Sequence, residues 1–416
     1  MYLSPQQCLH GDFYVPGDKS LSHRALVVGA FSDEESHVSN LNDGSDISTT
    51  IQVLRTIGVF IERDHDIVKI RGGKNKFLKF SGEIHCGNSG TTLSLLLGLS
   101  DKTVTFTGDE SLQSRSFVDQ IQVLESIGFR FSYFKKKYHL PFSILYHPNL
   151  DNGLEADRTR FSVIKASAQL KSTLLLVHAI RGRNIHIEEK YPTRNHTENF
   201  LKLTNSPSLK PLKYTIPGDF SSAAFITTAA LLAEESNVTI HDVLLNPTRT
   251  RFLNIMADMG ACISWKIDQT GLEPIGSISV RSSKKLSGLS IGEEDTASLI
   301  DEIPCLAMLA LKAHGTTSIR GAARLRNKEC DRICAIVQNI KSIGGQIREY
   351  EDGFDIQGGI PLSQPKQSLN GYQDHRIIMA LSVLRYYVPF DLNISDASWV
   401  SISYPSFFQD VVGLKS

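Results

Sequence analysis

Residues 16–31 read PGDKSLSHRALVVGAF, and residues 217–232 read PGDFSSAAFITTAALL. In both, a Pro-Gly-Asp turn opens into a run that stays apolar through several helical turns. Pro and Gly punctuate the chain, and a helix apolar all round is a buried one. Four further stretches follow the same plan: CGNSGTTLSLLLGLS (86–100), KASAQLKSTLLLVHAI (165–180), DEIPCLAMLALKAH (301–314) and YQDHRIIMALSVLRYY (372–387). Behind each comes a short β-patterned segment: HVSNL, KTVTFTG, NIHIEE, NVTIHDV, TTSIRGA and DLNISDA. An amphipathic stretch then closes every unit, from DISTTIQVLRTIGVF in the first to PSFFQDVVGL in the last. A pattern that restarts near residues 17, 87, 166, 218, 301 and 373 is one supersecondary unit used six times.

The repeated PGD divides the six units into two sets of three. The sequence therefore predicts an α/β (α+β) chain of two similar domains, with buried helices inside a shell of sheets and outer helices. Their expected bounds are 18–217 for one, and 1–17 plus 218–416 for the other, the chain crossing at two PGD hinges. The first strand, within residues 1–15, then belongs with the C-terminal half. The third unit is short. Between NHTENFLKLTN and the next PGD it has only SPSLKPLKYTI, where the first unit carries the hairpin-like VFIERDHDIVKIRGG. A trimmed hairpin is expected there.

Composition narrows the function classes. Lys plus Arg and Asp plus Glu are 44 each, so no bulk charge favours nucleic acid or an anionic membrane. The six cysteines (8, 86, 262, 305, 330, 334) form no CxxC pair and have no His at metal spacing, which reads as free thiols in a reducing cytosol. MYLSPQQCLHGDFYV lacks the basic and apolar regions of a secretory signal. No apolar run reaches the ~20 residues of a membrane span. A soluble, cytoplasmic chain is expected.

Six buried helix starts offer free N–H groups and the positive end of the dipole to anions. Ser20, Ser22, Ser89, Ser167 and Ser221 are each also explained as ordinary N-caps. Capping does not explain the cations nearby: Lys19, Arg24, Arg115, Lys171, Arg194, Lys328, Arg332 and Arg376. Positive charge beside a positive dipole end is costly unless a multiply charged anion binds, and arginine forks suit phosphate and carboxylate. Asp301, Glu302 and Glu329 stand out as proton-transfer candidates within that basic setting. Acid–base chemistry on a small anion is the reading these types support.

Ten motifs then occur in order between residues 16 and 408: PGDKSLSHRAL, CGNSGTT, GDESLQSR, SAQLKS, PTRNHTE, PGDFSSAAF, DEIP, RNKECDR, DHRIIMA and SYPSFF. With these motifs the chain resembles the EPSP synthases, enolpyruvyl transferases of the shikimate pathway, over essentially its whole length. The resemblance implies two domains of three βαβαββ-type repeats, acting as a monomer without metal or organic cofactor. It implies transfer of the enolpyruvyl group of phosphoenolpyruvate to the 5-hydroxyl of shikimate 3-phosphate. Carried over by residue, it places Ser20, Arg24, Ser167, Ala168, Gln169, Thr193, Arg194, Asp301 and Lys328, with Lys19, around shikimate 3-phosphate. Lys19, Asn88, Gly90, Arg115, Gln169, Arg332 and Arg376 fall to phosphoenolpyruvate. Asp301 is implied as the base on the acceptor hydroxyl, with Lys19 and Glu329 exchanging the methylene proton. A glycine at 90 is implied to leave room for the inhibitor glyphosate.

Other readings stay open for some residues. Glu329 also reads as a solvated i,i+3 partner of Arg332, Asn88 as a cap, and Gly90 as a close-packing glycine. His23, His196 and His375 read as loop-structuring rather than catalytic. The chain departs from the family pattern at Ser94, where an arginine is usual, at Ser116, where a proline is usual, and at Ile402, where many members have lysine. These departures leave room for a paralogue with another anionic ring acceptor, or for a binder without turnover. Residues 108–117 lack the mobile-loop cysteine of the UDP-N-acetylglucosamine enolpyruvyl transferases.

Overall fold

The computed structural model describes residues 1–145, 159–163, 167–181, 185–204 and 210–413. Lys165 and Ala166 of the third repeat's opening, Asn184 of its β segment, residues 205–209 of its connecting stretch and Leu414 of the last segment lie outside them. The chain gathers into two compact units: an inserted unit, Gly17–Ile216, and a split unit made of Met1–Pro16 and Pro217–Ser416.

Every apolar opening is a helix. The inserted unit holds α1 (Lys19–Gly29), α2 (Gly90–Leu96) and α3 (Ala168–Ile180). The split unit holds α4 (Phe220–Leu232), α5 (Ile303–Lys312) and α6 (His375–Val383). All thirteen residues of α4 are buried. Within the split unit α4, α5 and α6 pack on one another, and within the inserted unit α2 packs on both α1 and α3. Lys312 on α5 caps the end of α4, donating to the carbonyls of Leu231, Leu232 and Ala233 at 2.7–3.2 Å. Those carbonyls have no intrahelical donor, so a cation there satisfies acceptors and dipole together.

Five inner helices are capped by a side chain, but the identity of the caps divides. Ser89 and Ser167 accept from the N–H groups of Thr92 and Leu170. At α1 and α4 the PGD aspartates do this, Asp18 accepting from Leu21 and Asp219 from Ser222, both at 2.8 Å. A carboxylate makes the stronger bond to an N–H, which leaves Ser20, Ser22 and Ser221 available for other partners. Asp374 caps α6 through the N–H groups of Arg376 and Ile377.

Two sheets in each unit have four strands and the same topology. In the second repeat, Gly82–His85 runs parallel to Val104–Thr107, which pairs antiparallel with Phe142–Leu145, and that strand with Arg130–Tyr133. The fifth repeat copies it with Ser290–Ile291, Gly315–Ile319, Gly353–Gly358 and Gln346–Tyr350. The fourth repeat takes its parallel strand from the chain start: Cys8–Tyr14 lies beside Glu235–Leu244. The first takes it from the far end of the inserted unit, where Lys213–Thr215 lies parallel to Ser36–Ser39. That is the outcome of the short third interval. Its last residues close the sheet of the first repeat; the trimmed hairpin expected in this stretch falls in part on residues 205–209, outside the described ones. Each unit is completed by a two-stranded pair, Thr159–Val163 with Ile185–Glu189 and Tyr2–Leu3 with Leu392–Asn393. The sixth repeat is thinner than its sequence suggested, its outer helix reduced to Phe407–Asp410.

Candidate active site

In the inserted unit, the polar residues collect at the starts of the three inner helices. Lys19, in the first turn of α1, forms an ion pair with Asp46 at 2.9 Å, both groups nearly buried. Arg24, one turn on and 4% exposed, donates through Nε to Thr197 Oγ1 and through Nη2 to Ser172 Oγ, both at 2.8 Å. Its Nη1 donates to the Ser20 carbonyl at 2.9 Å. These bonds tie α1 to α3 and to the helix His196–Leu203. Behind them His23 shares a hydrogen bond with Thr50 at 2.7 Å, Thr50 with Thr92, and Thr92 donates to the cap Ser89. This chain joins α1 to the start of α2. Burial first, then the charges of Lys19 and Arg24, holds the His23 imidazole well below its ordinary pKa, so it is neutral.

At the start of α2, Asn88 donates to Asp109 at 2.8 Å and accepts from Arg115. The Arg115 guanidinium stands over Gly90, where a Cβ would meet Nη1 at 3.5 Å. At α3, Ala168 and Gln169 are half-buried beside the cap Ser167. Lys171 does not face an open anion position. It is 4% exposed and paired with Glu189 and Glu198 at 2.8 Å each, and it donates to the Thr193 carbonyl at 3.3 Å. Thr193 also donates to Glu189. Lys171 therefore fixes the Thr193–Arg194 segment, and the two carboxylates that neutralise it explain why a buried ammonium is tolerated.

In the split unit, one carboxylate faces three cations. Asp301 Oδ1 lies 3.3 Å from Lys328 Nζ, 3.4 Å from Arg332 Nη1 and 3.8 Å from Arg376 Nε. Arg332, 1% exposed, is gripped by two more carboxylates: Asp374 through Nε at 2.7 Å and Nη2 at 3.2 Å, and Glu329 at 2.6 Å. Asp374 is fully buried, so the carboxylate that caps α6 also holds the Arg332 fork. Arg376 donates from Nη1 to the Asp301 carbonyl at 3.2 Å. Burial lowers the pKa of the Lys328 ammonium while Asp301 opposes that shift. The cluster combines a carboxylate within reach of several cations with a second, Glu329, on the same arginine. It can hold a multiply charged anion and move protons beside it.

The structure thus brings Asp301, Lys328, Glu329, Arg332 and Arg376 into one cluster. Lys19, Ser20 and Arg24 lie on α1, Asn88 and Gly90 with Arg115, and Ser167, Ala168, Gln169, Thr193 and Arg194 around α3. Sequence reasoning missed Asp46, Asp109, Glu189, Glu198 and Asp374. Asp374 and Asp109 left a local signal, each standing as an N-cap; the others meet their partners only through folding.

A profile of EPSP synthase (3-phosphoshikimate 1-carboxyvinyltransferase) matches residues 3–411. The 3-phosphoshikimate 1-carboxyvinyltransferase of Lactiplantibacillus plantarum is 37% identical, covering 99% of this chain and 98% of its own. That of Persephonella marina is 36% identical, covering 96% of each. The solved EPSP synthase of Acinetobacter baumannii superposes with a TM-score of 0.80 at 30% identity, over 98% of this chain and 96% of that one. The enolpyruvyl transferase NikO of Streptomyces tendae shares the fold, with a TM-score of 0.74 at 14% identity over 99% of this chain and 96% of its own.

Proposed function

The chain belongs to the EPSP synthase family, and from that membership we propose how its residues do the work. It transfers the enolpyruvyl group of phosphoenolpyruvate to the 5-hydroxyl of shikimate 3-phosphate and releases phosphate, a step of aromatic amino-acid biosynthesis. Asp301 takes the proton of the acceptor hydroxyl as its oxygen attacks the enol carbon. Lys19 and Glu329 supply the proton to the methylene carbon and withdraw one again as the tetrahedral intermediate expels phosphate. Arg115, Arg332 and Arg376, with Asn88, Gly90 and Gln169, hold phosphoenolpyruvate. Ser20, Arg24, Ser167, Ala168, Gln169, Thr193, Arg194 and Lys328 hold shikimate 3-phosphate.

The observation that carries these roles is the Asp301 cluster. One carboxylate within reach of three cations sets a proton acceptor beside charges that can meet a leaving phosphate. The same reading makes the protein a cytoplasmic monomer, which sedimentation of the purified protein checks. Among the described residues, no helix is long and apolar enough to cross a membrane.

Phosphate release from shikimate 3-phosphate and phosphoenolpyruvate tests the reaction. Asp301→Asn is expected to lower kcat by about 10²–10⁴-fold, the usual worth of a general base, while shikimate 3-phosphate still binds. Turnover close to wild type in that variant removes Asp301 from the mechanism.

A further inference from the structure

The two units open their first inner helix on the same tripeptide but with different chemistry behind it. At α1 the cap Asp18 is followed by Lys19 and Ser20, both half-buried. At α4 the cap Asp219 is followed by Phe220 and Ser221, both buried. A carboxylate of the chain itself lies in that first turn. Glu302 is 0% exposed and accepts a short hydrogen bond from Ser221 Oγ. Arg249, 1% exposed, donates to the same Oγ at 2.6 Å and stands 3.5 Å from Glu302 Oε1. Its guanidinium also lies over the Phe220 ring, 5.5 Å from the centroid.

Glu302 directly follows Asp301. Its backbone N–H donates to Leu299 at 2.8 Å, and its carbonyl accepts the first α5 bond, from Leu306 at 3.1 Å. Asp301's own carbonyl is held by Arg376. The 301–302 peptide is therefore fixed from both sides, on one by Arg376 and on the other by the buried Glu302 side chain. A buried ion pair adds little net stability over well-packed apolar groups of the same size. What it supplies is direction, since each member tolerates only a narrow placement of the other.

We propose that Glu302, Arg249 and Ser221 are positioning residues for Asp301. Glu302 is a resident anion that fills the first turn of α4 and so fixes the backbone from which the Asp301 carboxylate reaches its cations. This rests on the reading of Asp301 as the base. Glu302→Gln and Arg249→Met are each expected to lower the melting temperature, because each breaks a buried ion pair. The double variant Glu302→Gln/Arg249→Met removes both charges. It is expected to melt near wild type, with kcat about 10- to 100-fold down, the cost of a misplaced reacting group, and an unchanged Kd for shikimate 3-phosphate.

Recovery of kcat together with melting temperature overturns the proposal, because a purely structural pair is repaired by neutralising both members. Ser221→Ala keeps both charges and decides independently, even where the double variant does not fold. Lowered kcat, restored by Ser221→Thr, is expected; wild-type kcat in Ser221→Ala overturns the proposal. Asp301→Asn is measured alongside. Near-normal turnover there brings down the base assignment and this inference with it, whereas a dead Asp301→Asn beside fully active Ser221→Ala and double variants brings down this inference alone.

Discussion

Ser94 stands where the resemblance to the EPSP synthases implies an arginine, and the structure shows what placing one there involves. The residue is 1% exposed on α2, between the buried Leu93 and Leu95. Its hydroxyl has no hydrogen-bond partner among the described residues, and its carbonyl accepts from Thr173 Oγ1 of α3 at 2.6 Å. A guanidinium placed here enters the buried contact between α2 and α3. Leaving a buried charge unpaired costs about 3–5 kcal/mol. For a unit of this size each kcal/mol moves the melting temperature by about 2–4 °C, so Ser94→Arg should melt on the order of 6–20 °C early. Ser94→Ala is the control. It deletes an unsatisfied hydroxyl and should be neutral or stabilising, by up to about 1 kcal/mol. Thermal unfolding and the KM for phosphoenolpyruvate are read on the same preparations. An arginine variant that melts like wild type and binds phosphoenolpyruvate more tightly refutes this reasoning: the position would then be a site for added positive potential.

Asp374→Asn should raise the KM for phosphoenolpyruvate more than the Kd for shikimate 3-phosphate, since the buried Arg332 loses its strongest partner and keeps only Glu329 and Asp301. Its unfolding free energy should fall by about 3 kcal/mol, the lower end for breaking a buried pair; equal binding of both ligands and an unchanged melting curve contradict that role. Gly90→Ala adds a methyl at ordinary contact distance, 3.5 Å from Arg115 and 3.7 Å from Leu112. The variant should fold normally but lose glyphosate inhibition more than phosphoenolpyruvate affinity, and equal inhibition constants in the two proteins displace Gly90 from the site. His23 has its pKa lowered in the folded chain, so the unfolded chain takes up a proton first as pH falls below 6.5. Stability contributed by the neutral imidazole is full above that pH and lost beneath it; His23→Gln should flatten the acid side of a melting-temperature profile, and an unchanged slope contradicts the burial argument.

Much of the fold was legible because its signals are local. Ser89 and Ser167 each stand three residues before the N–H they satisfy, and apolarity on every side of a helix marks burial without reference to any neighbour. At α1 and α4 the cap expected of serine fell instead to Asp18 and Asp219, whose carboxylates accept more strongly. The destination of Lys213–Thr215 was not legible, because a three-residue strand carries no mark of the sheet it joins. Lys171 misled for a related reason. A cation at a helix start suggested an external anion, and nothing near it in sequence announced that Glu189 and Glu198 would arrive instead.

The amino-acid sequence by itself determined the sixfold repeat, the identity of the capped helix starts and the stock of cations and carboxylates, all properties of residues spaced by a helical or strand period. Tertiary structure decided which cation meets which carboxylate. Lys19 finds Asp46 across 27 residues, Arg332 finds Asp374 across 42, and Ser221, bound to Arg249, finds Glu302 across 81. No period relates such pairs. They are chosen by the packing of helices that bury their charges together, where an unpaired charge costs more than the chain can tolerate.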